Sequence, residues 1–295
     1  MATLSLHSHT FFLLLAIFIL RQHLAVAGGC QYPPVIFNFG DSNSDTGGLA
    51  AGLGYTIGLP NGRSFFRRST GRLSDGRLII DFLCESLNTS LLNPYLDSMV
   101  GSKFQNGVNF AIVGSTTLPR YVPFVLNIQL MQFLHFKSRA LELASTSDPL
   151  KEMMITENGF RTALYMIDIG QNDIADSFSK GLSYSQVVKH IPNVISEIKS
   201  AIKVRTFAYR SVKFLVQSSF EKPLMACCGY GGPPYNYNVN ITCGHGGSNS
   251  CDEGSRFISW DGIHYTETAN AIVAMKVLSM QYSTPPTPFH FFCSR

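Results

Sequence analysis

Three short apolar runs, each followed by small or polar residues that include a glycine, constrain the fold of this chain most strongly. They cover residues 35–39, 108–113 and 163–169. Runs of this length that alternate with helical patterns predict an α/β fold with a largely parallel sheet. Because ligands bind at the carboxyl ends of parallel strands, we expect functional loops directly after these three runs.

Helical patterns lie between and after these runs. Residues 75–87 place apolar side chains on one face, and residues 185–203 repeat apolar residues with the 3.6-residue period of an amphipathic helix. Pro192 lies inside the second pattern and predicts either a kink or a later start of that helix. Residues 266–280 form a third pattern, with Thr266 as the predicted N-cap.

The pattern weakens after Lys203. Charged residues are scattered among the apolar ones there, so only one irregular strand is predicted, at residues 212–216. Residues 226–256 are rich in Gly, Cys, Tyr, Asn and Pro. This composition predicts a long loop that is held by disulfides.

The N-terminus has the features of a secretory signal peptide. Residues 11–20 form an apolar core that is too short to span a bilayer comfortably. Residues 25–27 supply a small-x-small cleavage pattern, so we expect residues 1–27 to be removed. No Lys or Arg precedes the apolar core, which leaves an N-terminal membrane anchor as the alternative.

The rest of the chain, residues 28–295, is predicted to form a single domain. The sequence is 45% hydrophobic and 14% charged, which suits one globular unit with a large core. No later stretch approaches 18 apolar residues, so we expect a secreted protein without a stable membrane anchor. The net charge of +4 is spread without Lys/Arg blocks, which does not favour a nucleic-acid partner.

The secretory route affects the interpretation of the seven cysteines. Most cysteines pair in an oxidising compartment, and because seven is odd, at least one has no partner within the chain. Cys227 and Cys228 are adjacent and His245 is the only nearby imidazole, so no metal site is expected. N-glycosylation sequons at Asn88 and Asn240 are consistent with secretion.

Residues at four places form a candidate active site. Ser42 follows the first predicted strand, Gly114 the second and Asn172 the third. Asp261 and His264 lie just before the last helix. Serine is a poor nucleophile at neutral pH unless a base takes its proton, which His264 can do. Asp261 can then orient the imidazole and stabilise its cation.

The same places can supply donors for the negative charge that develops on a substrate carbonyl oxygen. The candidates are the backbone N–H groups of Ser42 and Gly114 and the side-chain amide of Asn172. Removing one such donor typically costs about 3 kcal/mol of transition-state stabilisation.

Each residue also has a simpler structural explanation when it is taken alone. Ser42 can be a turn or N-cap residue, and Gly114 can meet a steric requirement at a strand end. Asn172 can form an Asx-turn, and Asp173 beside it can cap the following helix. An Asp-x-x-His pair alone is a weak motif, but the order and spacing of all four places favour the catalytic interpretation.

These residues lie in blocks that resemble those of the plant GDSL esterase/lipase family, within the SGNH hydrolases. The resemblance implies a flavodoxin-like three-layer α/β/α fold and ester hydrolysis without a metal or cofactor. It extends from about Pro34 to Cys293, and Asn43 stands where the name-giving motif has Leu. The four blocks are FNFGDSNSDTGG at 37–48, NFAIVGS at 109–115, GQND at 170–173 and DGIH at 261–264.

The resemblance also implies a role for each candidate residue. In such enzymes the serine of the first block is the nucleophile, and the Asp-x-x-His of the last block completes the triad. The roles of nucleophile, triad acid and base therefore carry over to Ser42, Asp261 and His264. Ser42, Gly114 and Asn172 carry over as the oxyanion hole.

The same resemblance predicts that part of the family fold is missing. Family members carry another core strand, with a GPLGC-like turn, between the helix that ends near Lys203 and the Cys-rich loop, and a further helical stretch then precedes the final strand. Neither can be identified here, so we expect a core strand and an adjoining helix to be absent at residues 204–209. Without that strand, backbone N–H and C=O groups of the sheet would be buried without partners, and each such group lowers the stability of the fold by about 1–3 kcal/mol. A spliced or truncated chain is therefore expected, and lost cysteines would explain the odd count.

Two functions follow from these observations. One is a secreted serine esterase of the apoplast or cell wall, acting on acyl or acetyl esters of glycans or of small acylated metabolites. Tyr230, Tyr235 and Tyr237 can stack on sugar rings, or they can simply pack a disulfide-held loop. The alternative is a catalytically impaired product that binds glycans or has no function.

Overall fold

The structure is a computed structural model of the chain. The predicted signal peptide, the junction at 204–209 and the predicted strand at 212–216 lie outside the residues that it describes. The described residues are 30, 32–100, 104–119, 123–146, 153–203, 220, 222–282, 285 and 289–293.

A parallel sheet of three strands forms the centre of the described chain. Strand β1 (Ile36–Gly40) lies between β2 (Gly107–Asn109) and β3 (Leu164–Asp168), and both pairs are parallel. In this register Phe37 lies opposite Val108 on one side and Tyr165 on the other. All residues of β1 are buried, whereas those of β3 are half-buried. Among the described strands, β3 therefore forms an edge of the sheet.

Helices surround this sheet, and a small antiparallel pair of strands lies in the Cys-rich loop. No helix of the described chain is both long and apolar enough to cross a bilayer. The described helices are α1 (Gly48–Leu53), α2 (Ile79–Ser86), α3 (Leu126–Ala144), α4 (Glu157–Thr162), α5 (Gln171–Ser179), α6 (Tyr184–Lys203) and α7 (Glu267–Leu278), with 3-10 turns at Ser98–Val100 and Phe289–Cys293, and the small strands are β4 (Cys228–Gly229) and β5 (Asn249–Ser250).

The core lies on both faces of the sheet. On one face, Phe37 meets the ring of Phe133 from α3 edge-on at 5.0 Å and stacks on Phe160 from α4 at 5.3 Å. On the other face, Ile36 packs with Ile80 of α2. Alternate residues of β1 thus bury against different helices. The predicted α/β fold with a mainly parallel sheet is confirmed.

The second strand is shorter than the predicted run at 108–113. The Oδ1 atom of Asn109 accepts the N–H of Ala111 at 3.0 Å, and this local turn ends the regular ladder. The chain still follows β1, because the N–H of Phe110 donates to the carbonyl of Asn38 at 2.8 Å. The prediction was therefore correct in place but wrong in length.

The structure tests the two alternatives for Pro192 and the predicted N-cap at Thr266. Helix α6 begins well before Pro192 and continues through it, so the later start is wrong. The N–H of Ser183 donates to Oε1 of Gln186 at 2.8 Å, which stabilises the earlier start. In α7 the hydroxyl of Thr266 accepts the N–H of Ala269 at 3.2 Å, which confirms Thr266 as the N-cap.

The cysteines confirm that the Cys-rich loop is held by disulfides. Six of the seven are paired, and Cys84 is free and buried in α2. Within the described ranges, no group of three or more His, Cys, Asp or Glu side chains is placed to hold a metal ion. The disulfides are Cys30–Cys293, Cys227–Cys251 and Cys228–Cys243.

A buried ion pair fixes the start of α2. Two nitrogens of the Arg72 guanidinium bind the two carboxylate oxygens of Asp81 at 2.7 and 2.8 Å, and the side chains are 6% and 0% exposed. One of these oxygens also accepts the N–H of Leu78 at 2.8 Å, which caps the helix. Removal of Arg72 would leave a buried carboxylate without its partner charge.

We expect Arg72→Met to lower the free energy of unfolding by about 3–5 kcal/mol, as is typical when one partner of a buried pair is removed. Urea denaturation followed by circular dichroism measures this change. The control is Arg67→Met, because Arg67 pairs with Glu253 at 2.7 Å while the side chains are 68% and 51% exposed. That control should lose less than about 1 kcal/mol. Equal losses in the two variants would contradict the prediction.

Candidate active site

Ser42 lies in the turn that follows the central strand, at the carboxyl end of the sheet. The Oδ1 atom of Asp41 accepts the N–H of Asn43 at 3.0 Å, which closes the turn around the serine. Ser42 is 4% exposed. The turn places this residue where ligands bind in parallel sheets.

Gly40, the last residue of β1, fixes where this turn begins. A Cβ atom here would overlap the carbonyl oxygen of Asp168 and the hydroxyl of Ser44, so only glycine fits. Gln129 of α3 accepts the N–H of Gly40 at 2.9 Å and donates to its carbonyl at 2.8 Å. It also donates to the hydroxyl of Ser115 at 3.1 Å. Gln129 therefore ties the end of β1 to the loop after β2, a role that the sequence did not predict.

Asp45 ties the turn after β1 to Gly114. Its buried carboxylate accepts the N–H of Val113 at 3.0 Å and that of Gly47 at 2.7 Å. Burial raises the pKa of Asp45, and the hydrogen bonds from backbone N–H groups oppose that rise. Gly114 itself has φ of +81°, a left-handed conformation that favours glycine. The structure thus supports a conformational requirement for glycine at position 114. It also places Gly114 at the carboxyl end of the sheet, where Ser42 lies.

Asn172 and Asp173 attach the start of α5 to the same loop. The side-chain amide of Asn172 donates to the carbonyl of Ser115 at 2.9 Å, and its second N–H remains for a ligand. Asp173 accepts both the N–H and the hydroxyl of Thr117 at 2.9 Å. Helix α5 has no side-chain cap, so the capping role considered for Asp173 is wrong.

The predicted oxyanion donors are available at this edge. Within the described part of the chain, the backbone N–H groups of Ser42 and Gly114 donate to no protein acceptor. Buried N–H groups are nearly always paired with some acceptor. These two groups and the second amide N–H of Asn172 are therefore suited to binding an oxyanion.

Asp261 and His264 form a direct pair. Oδ2 of Asp261 lies 2.6 Å from Nδ1 of His264, and Oδ1 accepts the N–H groups of His264 and Ile263 at 2.8 and 3.0 Å. Burial raises the pKa of Asp261, but the charge and hydrogen bonds of His264 outweigh this and hold it below its ordinary value. An ionised carboxylate only accepts, so Nδ1 carries the proton and the Nε2 lone pair can act as a base.

The described residues contain no direct hydrogen bond between Ser42 and His264. The loops of the two residues are instead joined by Gln171, the first residue of α5. Its Oε1 accepts from Nδ2 of Asn43 at 2.5 Å, and its Nε2 donates to the carbonyl of Ile263 at 2.9 Å. The structure thus brings the predicted nucleophile and base together through their sequence neighbours.

A pair of buried acids lies beside the nucleophile. Burial and the nearby charge of Asp168 raise the pKa of Asp41 to about 7. Burial raises the pKa of Asp168 to about 6, and its Oδ2 atom has no hydrogen-bond partner among the described residues. Burial and both carboxyl groups also raise the pKa of Tyr265. Asp41 and Asp168 therefore keep their protons at pH values at which exposed carboxyl groups have already released theirs.

The three tyrosines of the Cys-rich loop are exposed. Tyr237 packs on Gly262, so closely that a Cβ atom on this glycine would overlap the tyrosine ring. Gly262 lies in the segment that carries Asp261 and His264. Tyr237 therefore lies beside the segment that carries His264, while Tyr230 and Tyr235 are exposed elsewhere in the Cys-rich loop.

Comparisons with known proteins match these observations. The model of the GDSL-like lipase/acylhydrolase family matches residues 36–218 and 202–277. A GDSL esterase/lipase of Arabidopsis thaliana is 70% identical over an alignment of 368 residues, covering 99% of this chain and 100% of the relative. LIP-4, another GDSL esterase/lipase of that plant, is 57% identical over 374 residues and all of both chains. An esterase of Hevea brasiliensis is 33% identical over 358 residues and 90% of each chain.

The lengths of these alignments carry a second finding. The alignments of 368 and 374 residues are longer than the 295 residues of this chain, although they cover nearly all of it. The two relatives therefore contain residues that have no counterpart here. The family match also divides into two segments, which meet at residues 202–218.

The buried acids predict a pH-dependent stability. Because the pKa values of Asp41 and Asp168 are raised from 3.8 to about 7 and about 6, the folded state keeps protons that the unfolded state releases. Their contribution to stability therefore decreases as the pH rises from about 4 to about 7. We expect the unfolding temperature of Asp168→Asn to increase relative to that of the wild type as the pH rises across this range.

Thermal unfolding at pH 4, 5, 6 and 7, followed by circular dichroism, tests this expectation. Asp252→Asn, at an exposed carboxyl group, is the control and should follow the wild type. A constant difference between Asp168→Asn and the wild type at every pH would show that Asp168 does not hold the proton.

Proposed function

This chain belongs to the GDSL-like lipase/acylhydrolase family of plants, and from that premise we propose that it hydrolyses carboxylic esters through Ser42. One observation supports this most directly. Among the described residues the N–H groups of Ser42 and Gly114 have no protein acceptor, and Gln171 links the loop of Ser42 to the segment that carries the Asp261–His264 pair. An ester carbonyl bound there would meet both a nucleophile and an oxyanion site.

Hydrolysis would take place in two steps. The hydroxyl oxygen of Ser42 attacks the acyl carbon while Nε2 of His264 takes the hydroxyl proton. The oxyanion is held by the N–H groups of Ser42 and Gly114 and by the amide of Asn172. His264 then gives its proton to the leaving alcohol oxygen. A water molecule, deprotonated by His264, then attacks the acyl carbon, and His264 returns this proton to the Ser42 oxygen as the bond to the acyl group breaks.

Asp261 supports both proton transfers. Its two oxygens bind the backbone N–H and the Nδ1–H of His264, which fixes the imidazole orientation and tautomer. Because the pKa of Asp261 is held low, the carboxylate stays ionised and stabilises the imidazolium. The acid is therefore assigned to orientation and charge stabilisation, with no proton transfer of its own.

We propose that the substrates are acyl or acetyl esters of cell-wall glycans or of small metabolites. Tyr237, which is exposed beside the His264 segment, supports a sugar or another ring on the alcohol side of the ester. Secretion to the apoplast, with residues 1–27 as signal peptide, is part of the same proposal. It is supported by the disulfides and by the exposed positions of Asn88 and Asn240, the two proposed glycosylation sites.

We further propose that residues 28–295 form one family domain from which an internal segment has been lost near residues 204–209. The divided family match and the longer alignments support this, as does the position of β3 at an edge of the described sheet. Sequencing the gene and the transcript across the codons for residues 200–210 tests it. Uninterrupted coding sequence in both, without a skipped exon, would argue for a deletion in the gene itself.

A catalytically impaired product is the second candidate function. The unpartnered Oδ2 of Asp168 and the half-buried residues of β3 favour it, because both indicate contacts that the described residues do not supply. In this alternative the chain keeps the glycan-binding tyrosines but has no hydrolytic activity.

Labelling with a fluorophosphonate probe separates the two functions. We expect the folded wild type to be labelled on Ser42, and we expect Ser42→Ala and His264→Ala to lose labelling. Ser179→Ala, at an exposed serine of α5, is the control and should label as the wild type does. Absence of labelling on wild-type protein with a cooperative thermal transition would instead favour the impaired product.

The rate of ester hydrolysis should fall on acidification from pH 8 to pH 5, because only a neutral imidazole can take the serine proton. The profile of kcat/KM for p-nitrophenyl acetate measures this. Asp168→Asn should keep the decrease, which separates imidazole protonation from that of the buried carboxyl pair. A flat profile in the wild type would exclude His264 as the base.

A further inference from the structure

The side chain of Gln171 is held in one orientation by its two partners. The carbonyl of Ile263 can only accept a hydrogen bond, so Nε2 of Gln171 must face it, at 2.9 Å. The other end of the amide, Oε1, then faces the Nδ2 donor of Asn43 at 2.5 Å. Both ends of the amide are therefore used, and neither end can be exchanged with the other.

These partners are the sequence neighbours of the two reacting side chains. Asn43 directly follows Ser42, and Ile263 directly precedes His264. Among the described residues, the bond from Gln171 to Ile263 is the only hydrogen bond between residues 259–265 and the loops that follow β1, β2 and β3. The other hydrogen bonds of this segment are internal or lead away from the strand ends, such as that from Trp260 to Asn61.

Both ends of this connection are themselves fixed. Asn43 is 6% exposed, and its N–H is held by Asp41. Ile263 is fixed by the bond from its N–H to Asp261. Gln171 begins α5 directly before Asn172, whose amide binds the loop after β2. A displacement of Gln171 would therefore change the distance between two otherwise rigid groups.

That distance controls the proposed reaction. A general base must lie within hydrogen-bond reach of the proton that it takes, and a misplacement of about 1 Å can lower the rate about 100-fold. The pair Asp261–His264 is held internally by its own hydrogen bonds, but among the described residues none of these bonds reaches the loop of Ser42. The Gln171 amide supplies that missing constraint.

We propose that Gln171 is a positioning residue that holds His264 over Ser42 through its hydrogen bonds to Ile263 and Asn43. This inference rests on the proposed function, because it concerns the alignment of the proposed nucleophile and base. It also gives Asn43 a role that leucine, the residue of the name-giving motif at this position, cannot fill.

Kinetics of p-nitrophenyl acetate hydrolysis test the proposal. Gln171→Met keeps the length of the side chain but removes both hydrogen bonds, and we expect kcat to fall about 10- to 100-fold with KM changed less than about twofold. Asn43→Leu should lower kcat in the same direction. Adding it to Gln171→Met should have little further effect, because the two residues act through one connection. Gln186→Met, the same substitution at an exposed residue of α6, is the control and should keep the wild-type kcat.

Hydrogen exchange measured by mass spectrometry gives a readout that does not depend on activity. Exchange of the amides at residues 261–265 should become faster in Gln171→Met and in Asn43→Leu, whereas that of α3 should stay unchanged. Either variant suffices if the other does not fold.

The outcomes separate this proposal from the proposed function. Unchanged kcat in an active, folded Gln171→Met, or unchanged exchange at residues 261–265, would overturn the positioning role. Fully additive effects of the two substitutions would also contradict it. A wild type without Ser42-dependent hydrolysis, but with faster exchange in Gln171→Met, would refute the esterase and support the connection between the loops.

Discussion

The pairing of β1 with a strand on each side is the constraint on which the rest of the structure depends. Both edges of β1 are used in parallel ladders, and both faces are covered by helices, so its end cannot shift without breaking hydrogen bonds. Gly40 continues this constraint beyond the ladder, because Gln129 binds both of its backbone polar groups. The position of the Ser42 turn is therefore a consequence of the buried sheet. This GDSL-family site gains its rigidity from the core.

Side-chain amides and carboxylates then join the loops to one another. Asp45 links the first loop to the second, Asp173 links the third to the second, and Gln171 links the first and third to the His264 segment. Asp45 and Asp173 are buried and bonded to backbone N–H groups, a setting in which hydrogen bonds are strong and unpaired groups are costly, whereas Gln171 is only partly buried. Among the described residues, the backbone N–H groups of Ser42 and Gly114, which are assigned to the substrate, have no protein acceptor. Such a distribution is expected of a site that is organised before the ligand binds.

The sequence predicted the residues that stand at strand ends, and it missed those that support them. Ser42, Gly114 and Asn172 could be found because each follows an apolar run and a parallel sheet brings such positions together. Gln129 and Gln171 gave no such signal, since a glutamine in a helix is common and its partners lie far away in sequence. The predicted length of β2 was wrong because the side chain of Asn109 competes with the β-ladder for the N–H of Ala111. A pattern of apolar residues gives no sign of such a side-chain hydrogen bond. For Pro192 the sequence left a kink or a later start of the helix open; α6 begins before the proline, where the N–H of Ser183 donates to Gln186.

The position of the proposed deletion explains how the site can persist while the fold is incomplete. Every residue assigned to the reaction belongs either to the loops after β1, β2 and β3 or to the segment before α7, and the family match covers both parts. The junction lies between them, so the chemistry-bearing groups are kept. The proposed loss would change the environment of β3, whose residues are half-buried and whose Asp168 has an oxygen without a hydrogen-bond partner among the described residues. Because α5 begins shortly after β3, a less rigid β3 would displace Gln171, the first residue of α5, before it displaced the reacting groups. Loss of the segment would then lower the rate through the alignment of His264 with Ser42, before it removed any reacting group.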